Sequence, residues 1–257
     1  MLSKNKIKFI NSIKKKKYRD IHQIFFAEGE KIVDELLKSN VEILTIFATN
    51  EWINQNQYII NKKTIDTCIV TNDELKKISA LSTPNNVLAT VKIKPNNYYK
   101  TEIATQLSIL LDNVNDPGNL GTIIRIADWF GIKNIFCSKE SVDLYNPKVV
   151  QATMGAIFRV KVHYIDFKAL LQDFSDINNF NIYGTFLDGK NIYHEPLSKN
   201  GFIMMGSESH GISPKWVPFI QQKLFIPNYP ANIKTSESLN LSTATAIVCS
   251  EFRRRQL

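Results

Sequence analysis

Residues 112–131 read DNVNDPGNLGTIIRIADWFG and lie between two short apolar runs, QLSILL (106–111) and IKNIFC (132–137). Both runs have the length and aliphatic content of buried strands. Between them, Asp116, Pro117, Gly118 and Asn119 supply turn chemistry. Ile123, Ala127 and Phe130 then recur at helical spacing, as residues facing a sheet do. Gly131 suits a helix C-terminus. The stretch is therefore the middle of a strand–helix–strand unit, with its glycines at the turn that opens the helix. Such turns often cradle phosphates. The spacing is neither G-x-G-x-x-G nor the P-loop pattern, so a dinucleotide enzyme is disfavoured.

The alternation extends in both directions. Downstream, NPKVVQATMGAIF (146–158) reads as a helix opening with Asn then Pro, RVKVHYI (159–165) as a strand and FKALLQDFS (167–175) as a helix. NIYGTFL (181–187), GFIMM (201–205) and KLFIP (223–227) read as strands, and SLNLSTATAIVCSEFRRR (238–255) as a closing helix. This predicts an α/β domain with a mostly parallel sheet that binds ligands at its strand C-terminal ends. Upstream, IFFAEG (24–29), EILTIFAT (42–49), DTCIVT (66–71) and NVLATVKI (86–93) read as strands, EKIVDELLKS (30–39) as an amphipathic helix, and Thr71 with Glu74 as a capping box. The expected organisation is a small α/β domain over 1–93, a polar linker over 94–104 and a second domain over 105–257.

The chain of 257 residues has an ordinary globular composition, 44% hydrophobic and 22% charged. It contains no apolar run long enough to span a membrane. Its basic start, MLSKNKIKFINSIKKKKYR, lacks the apolar core and cleavage site of a secretory signal. Cys68, Cys137 and Cys249 are far apart and odd in number, which points to buried thiols in a reducing cytoplasm rather than to a disulfide or a metal. His22, His163, His194 and His210 are scattered and make no metal set.

Charge is more informative. Residues 1–19 hold eight of the 32 lysines and arginines and none of the 24 acidic residues, so the whole net charge of +8 lies there. A concentrated basic stretch that includes Lys14, Lys15, Lys16, Lys17 and Arg19 is an electrostatic footprint for a polyanion; its bland alternative is a solvated helix face. Arg253, Arg254 and Arg255 form a smaller cluster, which could instead complement the end of the last helix.

Three polar loops follow strand ends: 112–121, 206–213 and 228–240. In the second, Glu208 has three readings, a base, a hydrogen-bond acceptor or a helix-start carboxylate; the plain alternative is that Ser213-Pro214 caps the next helix and Glu208 is merely solvated. In the third, Ser236, Glu237, Ser238 and Asn240 cluster, with Ser238 a natural N-cap. Arg125 lies inside the first helix, where a surface ion pair with Asp128 is the plain alternative to a functional role.

Taken together, DPGNLGTIIRIADWFG, GSESHGIS and IPN…SESLNLSTATAIV resemble the three motifs of SpoU/TrmH-type (SPOUT) RNA 2′-O-ribose methyltransferases, in order and at comparable separations. IFFAEGEKIVDELL is similar to the small ribosomal-protein-like domain that precedes the catalytic domain in rRNA-directed members. The resemblance implies a C-terminal parallel-sheet domain closed by a deep trefoil knot, a rare exception to the rule against threaded chains. It implies S-adenosylmethionine bound in that knot, held largely by backbone groups at Gly206, Ile226 and Leu239, and a homodimer with the active site at the interface. It carries Asn119, Arg125, Glu208, Ser238 and Asn240 onto the catalytic motif positions. It implies a ribose 2′-hydroxyl as the methyl acceptor, in 23S rRNA more readily than in tRNA. Two departures stand out: Ser209 occupies a position where the family usually has Gly, and the loop between Pro227 and Ser238 is longer than is common. A non-catalytic RNA-binding or ribosome-assembly protein is the competing class, and the basic N-terminus and first domain would suffice for it.

Overall fold

The computed structural model describes residues 2–230 and 238–256. Its elements, in chain order, begin with α1 (Lys4–Ser12), α2 (Lys16–His22), β1 (Ile24–Glu28), α3 (Glu30–Lys38) and β2 (Ile43–Ala48). Next come α4 (Asn50–Lys63), β3 (Asp66–Ile69), α5 (Asn72–Ile78) and β4 (Val87–Lys92). Then follow α6 (Lys100–Ile103), β5 (Leu107–Leu111), α7 (Pro117–Trp129), β6 (Asn134–Ser138) and α8 (Pro147–Thr153). The chain continues through β7 (Lys161–Ile165), α9 (Phe167–Ser175), β8 (Asn181–Asn191) and β9 (Gly201–Met205), and ends with β10 (Gln222–Phe225) and α10 (Leu241–Arg254). Contacts divide the chain into two units: Met1–Pro95 with Asp143–Arg159, and Asn96–Val142 with Val160–Leu257.

The first unit is built on a four-stranded sheet in the order β1-β4-β2-β3, antiparallel except for β2 with β3. Side chains alternate across a strand, so one sheet serves two cores. Phe25, Ala27, Ile46, Ala48, Ala89 and Val91 point to one side and meet Ile32, Val33, Leu36 and Leu37 of α3, Trp52 and Ile60 of α4, and Val150 of α8. Phe26, Phe47 and Leu88 point to the other and meet Ile10 and Ile13 with Leu75 and Ile78 of α5. The Thr71–Glu74 capping box forms as its sequence predicts.

Residues 146–158 were expected as one helix of the second domain. Instead, Asp143–Arg159 clusters with the N-terminal residues because Val150, Tyr145, Ile157 and Phe158 pack on the core around Phe25. The helix also stops at Thr153, where Met154 and Gly155 turn left-handed, and one 3-10 turn follows over Ala156–Phe158. Gly155 permits this: a Cβ there would lie 2.6 Å from the Cβ of Glu35.

The second unit carries a six-stranded sheet in the order β10-β8-β9-β5-β6-β7, every neighbouring pair parallel. All five residues of each of β5, β6 and β9 are buried, which explains their continuous apolar runs. The order reverses between β5 and β9: later strands run outward from β5 on one side, while β8 and β10 lie beyond β9 on the other. A parallel sheet opens a crevice at such a reversal, at the carboxyl ends of the strands. The loops after β5 and β9 begin there. Helix α10 packs against α7, and Arg253 Nε donates to Phe130 O at the end of α7 (2.7 Å). Among the described residues no helix is long and apolar enough to cross a membrane.

Candidate active site

The turn after β5 is set by its own side chains. Asp116 caps α7, its Oδ1 accepting from Asn119 N (2.7 Å), and Pro117 takes the first helical position. That places Asn119 on the first turn, only 9% exposed.

The loop after β9 doubles back. Ser207 and Gly211 exchange two backbone hydrogen bonds of 3.0 Å, His210 N donates to Ser207 Oγ, and Gly211 takes φ +65°. Gly206 is needed for the approach, because a Cβ there would lie 2.0 Å from the carbonyl carbon of Gly211. Asp112, at the end of β5, accepts from Ser213 N (2.8 Å) and ties this loop to the first. Glu208 stands exposed at the tip.

Three side chains then join the three loops. Asn119 Nδ2 donates to Glu208 Oε1 at 2.6 Å, and Asn240 Nδ2 donates to Asn119 Oδ1 at 3.0 Å. Asn240 Oδ1 accepts from Ser242 N (2.9 Å), Thr243 N (3.3 Å) and Ser242 Oγ (2.7 Å), capping α10. The orientations follow from one another. A carboxylate only accepts, so Asn119 must offer its amide nitrogen to Glu208; its oxygen then faces Asn240, whose oxygen is left for the helix N–H groups. In this geometry Glu208 accepts a hydrogen bond from Asn119. The N-cap of α10 is Asn240, not Ser238, which is exposed, as is Leu239. Ile226, just beyond β10, is half-buried. Ser236 and Glu237 lie outside the described residues.

Arg125 is exposed on α7 and makes no hydrogen bond or ion pair with any described residue. The pairing with Asp128 that the sequence allowed does not hold it. Trp129, one helical turn on, is 84% exposed. Asp112 joins the candidate residues from the structure alone; a carboxylate directly after a strand that ends at a ligand-binding edge is the signal that marks it.

Several other candidates sit in packed or hydrogen-bonded structural positions. His163 is buried, bonded to Asn134 Oδ1 (3.1 Å) and stacked on Phe136, and burial holds its imidazole below the usual range. Cys137 and Cys249 are buried. Burial pushes the Cys249 thiol up to about 12. Arg254 and Arg255 both clasp the buried carboxylate of Glu251, and Arg255 also donates to the carbonyls of Ile192, Tyr193 and Glu195. Of the basic segment, Lys15, Lys16 and Lys17 are exposed, Lys16 beside Asp20. Lys14 is half-buried and donates to Ser79 O (2.6 Å), and desolvation lowers its pKa. Arg19 was expected to grip a polyanion, yet it is 3% exposed and is spent on the carbonyls of Ile13 and Lys14 and the carboxylate of Asp143. A buried guanidinium already matched by a carboxylate has no face left for a phosphate.

Known proteins share both halves of this arrangement. The SpoU rRNA Methylase family model matches residues 106–250, and that of the MRM3-like substrate binding domain matches residues 4–89. The 23S rRNA (guanosine(2553)-2′-O)-methyltransferase RlmP of Bacillus subtilis (strain 168) is 27% identical over 96% of each chain. A TrmH-family structure from Porphyromonas gingivalis is 36% identical over 99% of each chain, with a TM-score of 0.85. The AdoMet-bound rRNA methyltransferase of Sinorhizobium meliloti is 26% identical, covers all of this chain and 97% of its own, and superposes with a TM-score of 0.87.

Proposed function

The chain belongs to the SpoU rRNA methylase family, and from that premise we propose that it transfers a methyl group from S-adenosylmethionine to a ribose 2′-hydroxyl of 23S rRNA, in the cytoplasm. The observation that carries this reading is the Asn240–Asn119–Glu208 hydrogen-bond chain, which locks three strand-end loops together beside an uncommitted Arg125. A protein that only bound RNA would have no use for so exact a coupling of loops.

The cofactor site would be formed by the loops at Gly206, Ile226 and Leu239. They fit a small ligand with a polar and an apolar end. Gly206 brings backbone to backbone without a side chain between, and Ile226 and Leu239 supply apolar surface that the fold leaves partly uncovered. S-adenosylmethionine supplies an electrophilic methyl group on a sulfonium.

A ribose hydroxyl is a poor nucleophile and must pass its proton to an adjoining RNA phosphate or to solvent as it attacks, in line, at the methyl carbon, whose bond to sulfur breaks to leave a neutral thioether. Positioning therefore carries much of the rate. A guanidinium offers five N–H donors and no acceptor, so Arg125 serves as a donor rather than a base. Its role here is to orient the hydroxyl or an adjoining phosphate and to stabilise the negative charge that develops. Asn119 and Asn240 hold the loops, Glu208 anchors Asn119, and Ser238 lies exposed at the rim for a polar contact to the substrate. Lys15, Lys16 and Lys17 contact RNA phosphates, and Lys14 supports them from its half-buried place.

The second unit is the methyltransferase, closed by a trefoil knot, and the first is the RNA-binding unit. The protein works as a homodimer: Arg125 and Trp129 share one exposed face of α7, and a second copy would both cover the indole and complete the site. The test is transfer of labelled methyl to unmodified rRNA and tRNA, assayed separately, with Arg125→Ala as control. Label on rRNA that is lost in the variant is the expected result. Label on tRNA alone would overturn the substrate, and undiminished transfer by the variant would remove Arg125 from the mechanism.

A further inference from the structure

The basic N-terminal segment holds more than charge. Helices α1 and α2 border a shallow cleft, largely open to solvent, of about 360 Å³, lined by Asn5, Lys8, Phe9, Ser12, Tyr18 and His22. This is within the range of pockets that hold small organic groups, about 300–1,000 Å³. The lining follows helical spacing. Positions 5, 8, 9 and 12 form one stripe of α1, while Ile10 and Ile13 turn into the core; positions 18 and 22 are one turn apart on α2.

Its chemistry is unusual for packing between two surface helices. Phe9 and His22 meet edge to face, with ring centroids 5.2 Å apart and an angle of 70°. Phe9 also packs against the core around Ile10, so the open aromatic faces are those of its neighbours on α2. Tyr18 and His22 are exposed, and neither ring makes a hydrogen bond to another described residue, nor does the amide of Asn5 or the ammonium of Lys8. Lys8 lines the cleft, and Lys4, Lys6, Lys15, Lys16 and Lys17, on or beside the same two helices, are exposed, Lys16 paired with Asp20. Aromatic faces, an unengaged amide and exposed lysines are the set that recognises an unpaired nucleotide: the base stacks, the amide reads its edge, and the lysines hold the flanking phosphates.

We propose that the α1–α2 cleft is a subsite for one unpaired nucleobase of the RNA substrate, stacked among Phe9, Tyr18 and His22 and hydrogen-bonded by Asn5. The inference rests on the RNA-methylating reading above. It makes this end of the first unit a reader of loop or bulge structure as well as a grip on the phosphate backbone.

The full chain is titrated with an RNA hairpin bearing an unpaired loop and with a fully paired duplex of equal length, over a range of salt. The hairpin binds more tightly. Tyr18→Ala and His22→Ala each weaken hairpin binding about 5- to 100-fold while leaving the salt slope unchanged, the loss expected of a stacking contact. Tyr18→Phe and His22→Phe, which keep an aromatic face, retain affinity. Lys8→Ala flattens the salt slope by about 0.7 instead. In methyl transfer, the aromatic-to-alanine variants raise KM for RNA and leave kcat alone. Equal affinity for duplex and hairpin, or alanine variants that bind the hairpin like the parent, overturns the subsite. The two readings fail separately. A chain that binds the hairpin in this way but methylates no RNA keeps the cleft and loses the reaction. Turnover with unaltered KM in the variants keeps the reaction and loses the cleft.

Discussion

Replacing Asn119 by Asp changes one atom pair and tests the loop coupling directly. Asp can still accept the 3.0 Å hydrogen bond from Asn240, so that link survives. The 2.6 Å link to Glu208 does not: a donor becomes a carboxylate oxygen facing a carboxylate. A hydrogen bond to a charged group contributes about 1.5–3 kcal/mol. Two like charges about 4 Å apart repel by about 1 kcal/mol in water and about 4 kcal/mol at the effective dielectric near a protein surface, and the exposure of Glu208 favours the lower end. The sum is about 3–5 kcal/mol of lost stability at neutral pH, a large share of a domain's margin. The sign with pH is set. Repulsion raises the pKa of the pair in the folded state above its unfolded value, so the penalty is present above the folded pKa and falls away as acid protonates one partner. Urea denaturation of Asn119→Asp and of the parent at pH 7.5 and 5 reads this. The deficit should be large at the higher pH and mostly recovered at the lower. Equal stability of the two proteins at pH 7.5, or a deficit independent of pH, would refute the coupling of these loops.

Further expectations follow from the same geometry. Gly206→Ala forces a Cβ to 2.0 Å from the Gly211 carbonyl carbon, so it should cost about 2–4 kcal/mol and abolish S-adenosylmethionine binding, measured by calorimetry. Hydrogen bonds from Arg254 and Arg255 pull the Glu251 carboxyl down to about 2, so its stabilisation is complete above the unfolded value and is lost as pH falls toward 2. Glu251→Gln should then cost about 2–3 kcal/mol at pH 7 and far less at pH 2 to 3, by denaturant titration. Arg125→Ala should leave stability within about 0.5 kcal/mol of the parent, because the side chain is exposed, while transfer collapses. Trp129→Glu should shift the chain from dimer to monomer in sedimentation and leave its circular dichroism unchanged.

What could be read in advance was local. The buried runs at 107–111, 134–138 and 201–205 declare a parallel sheet because both of their faces are covered, and the Thr71–Glu74 box is written within four residues. Helix α4 escaped because Asn50–Lys63 is largely polar and buries only Trp52 and Ile60. The rest depended on partners far away in the chain. Ser238 and Asn240 are equally good caps for α10 until Asn119, 121 residues distant, selects Asn240. Arg19 looks like its lysine neighbours until Asp143 claims it. Arg254 and Arg255 look like a basic tail until they close on Glu251, and Arg255 on the 192–195 loop as well. Motif resemblance marks Asn119, Glu208 and Asn240 as candidates one by one, while the hydrogen bonds that make them one network join residues far apart in the chain.

Alkaline hydrolysis tests methyl transfer to a ribose oxygen most directly. Unmodified 23S rRNA would be incubated with the protein and labelled S-adenosylmethionine, then hydrolysed completely with alkali. A ribose methylated at its 2′-oxygen cannot assist cleavage of the adjoining linkage, so the label should be recovered in a single alkali-resistant dinucleotide. Label released in mononucleotides would place the methyl on a base, and no label in 23S rRNA would contradict the account outright.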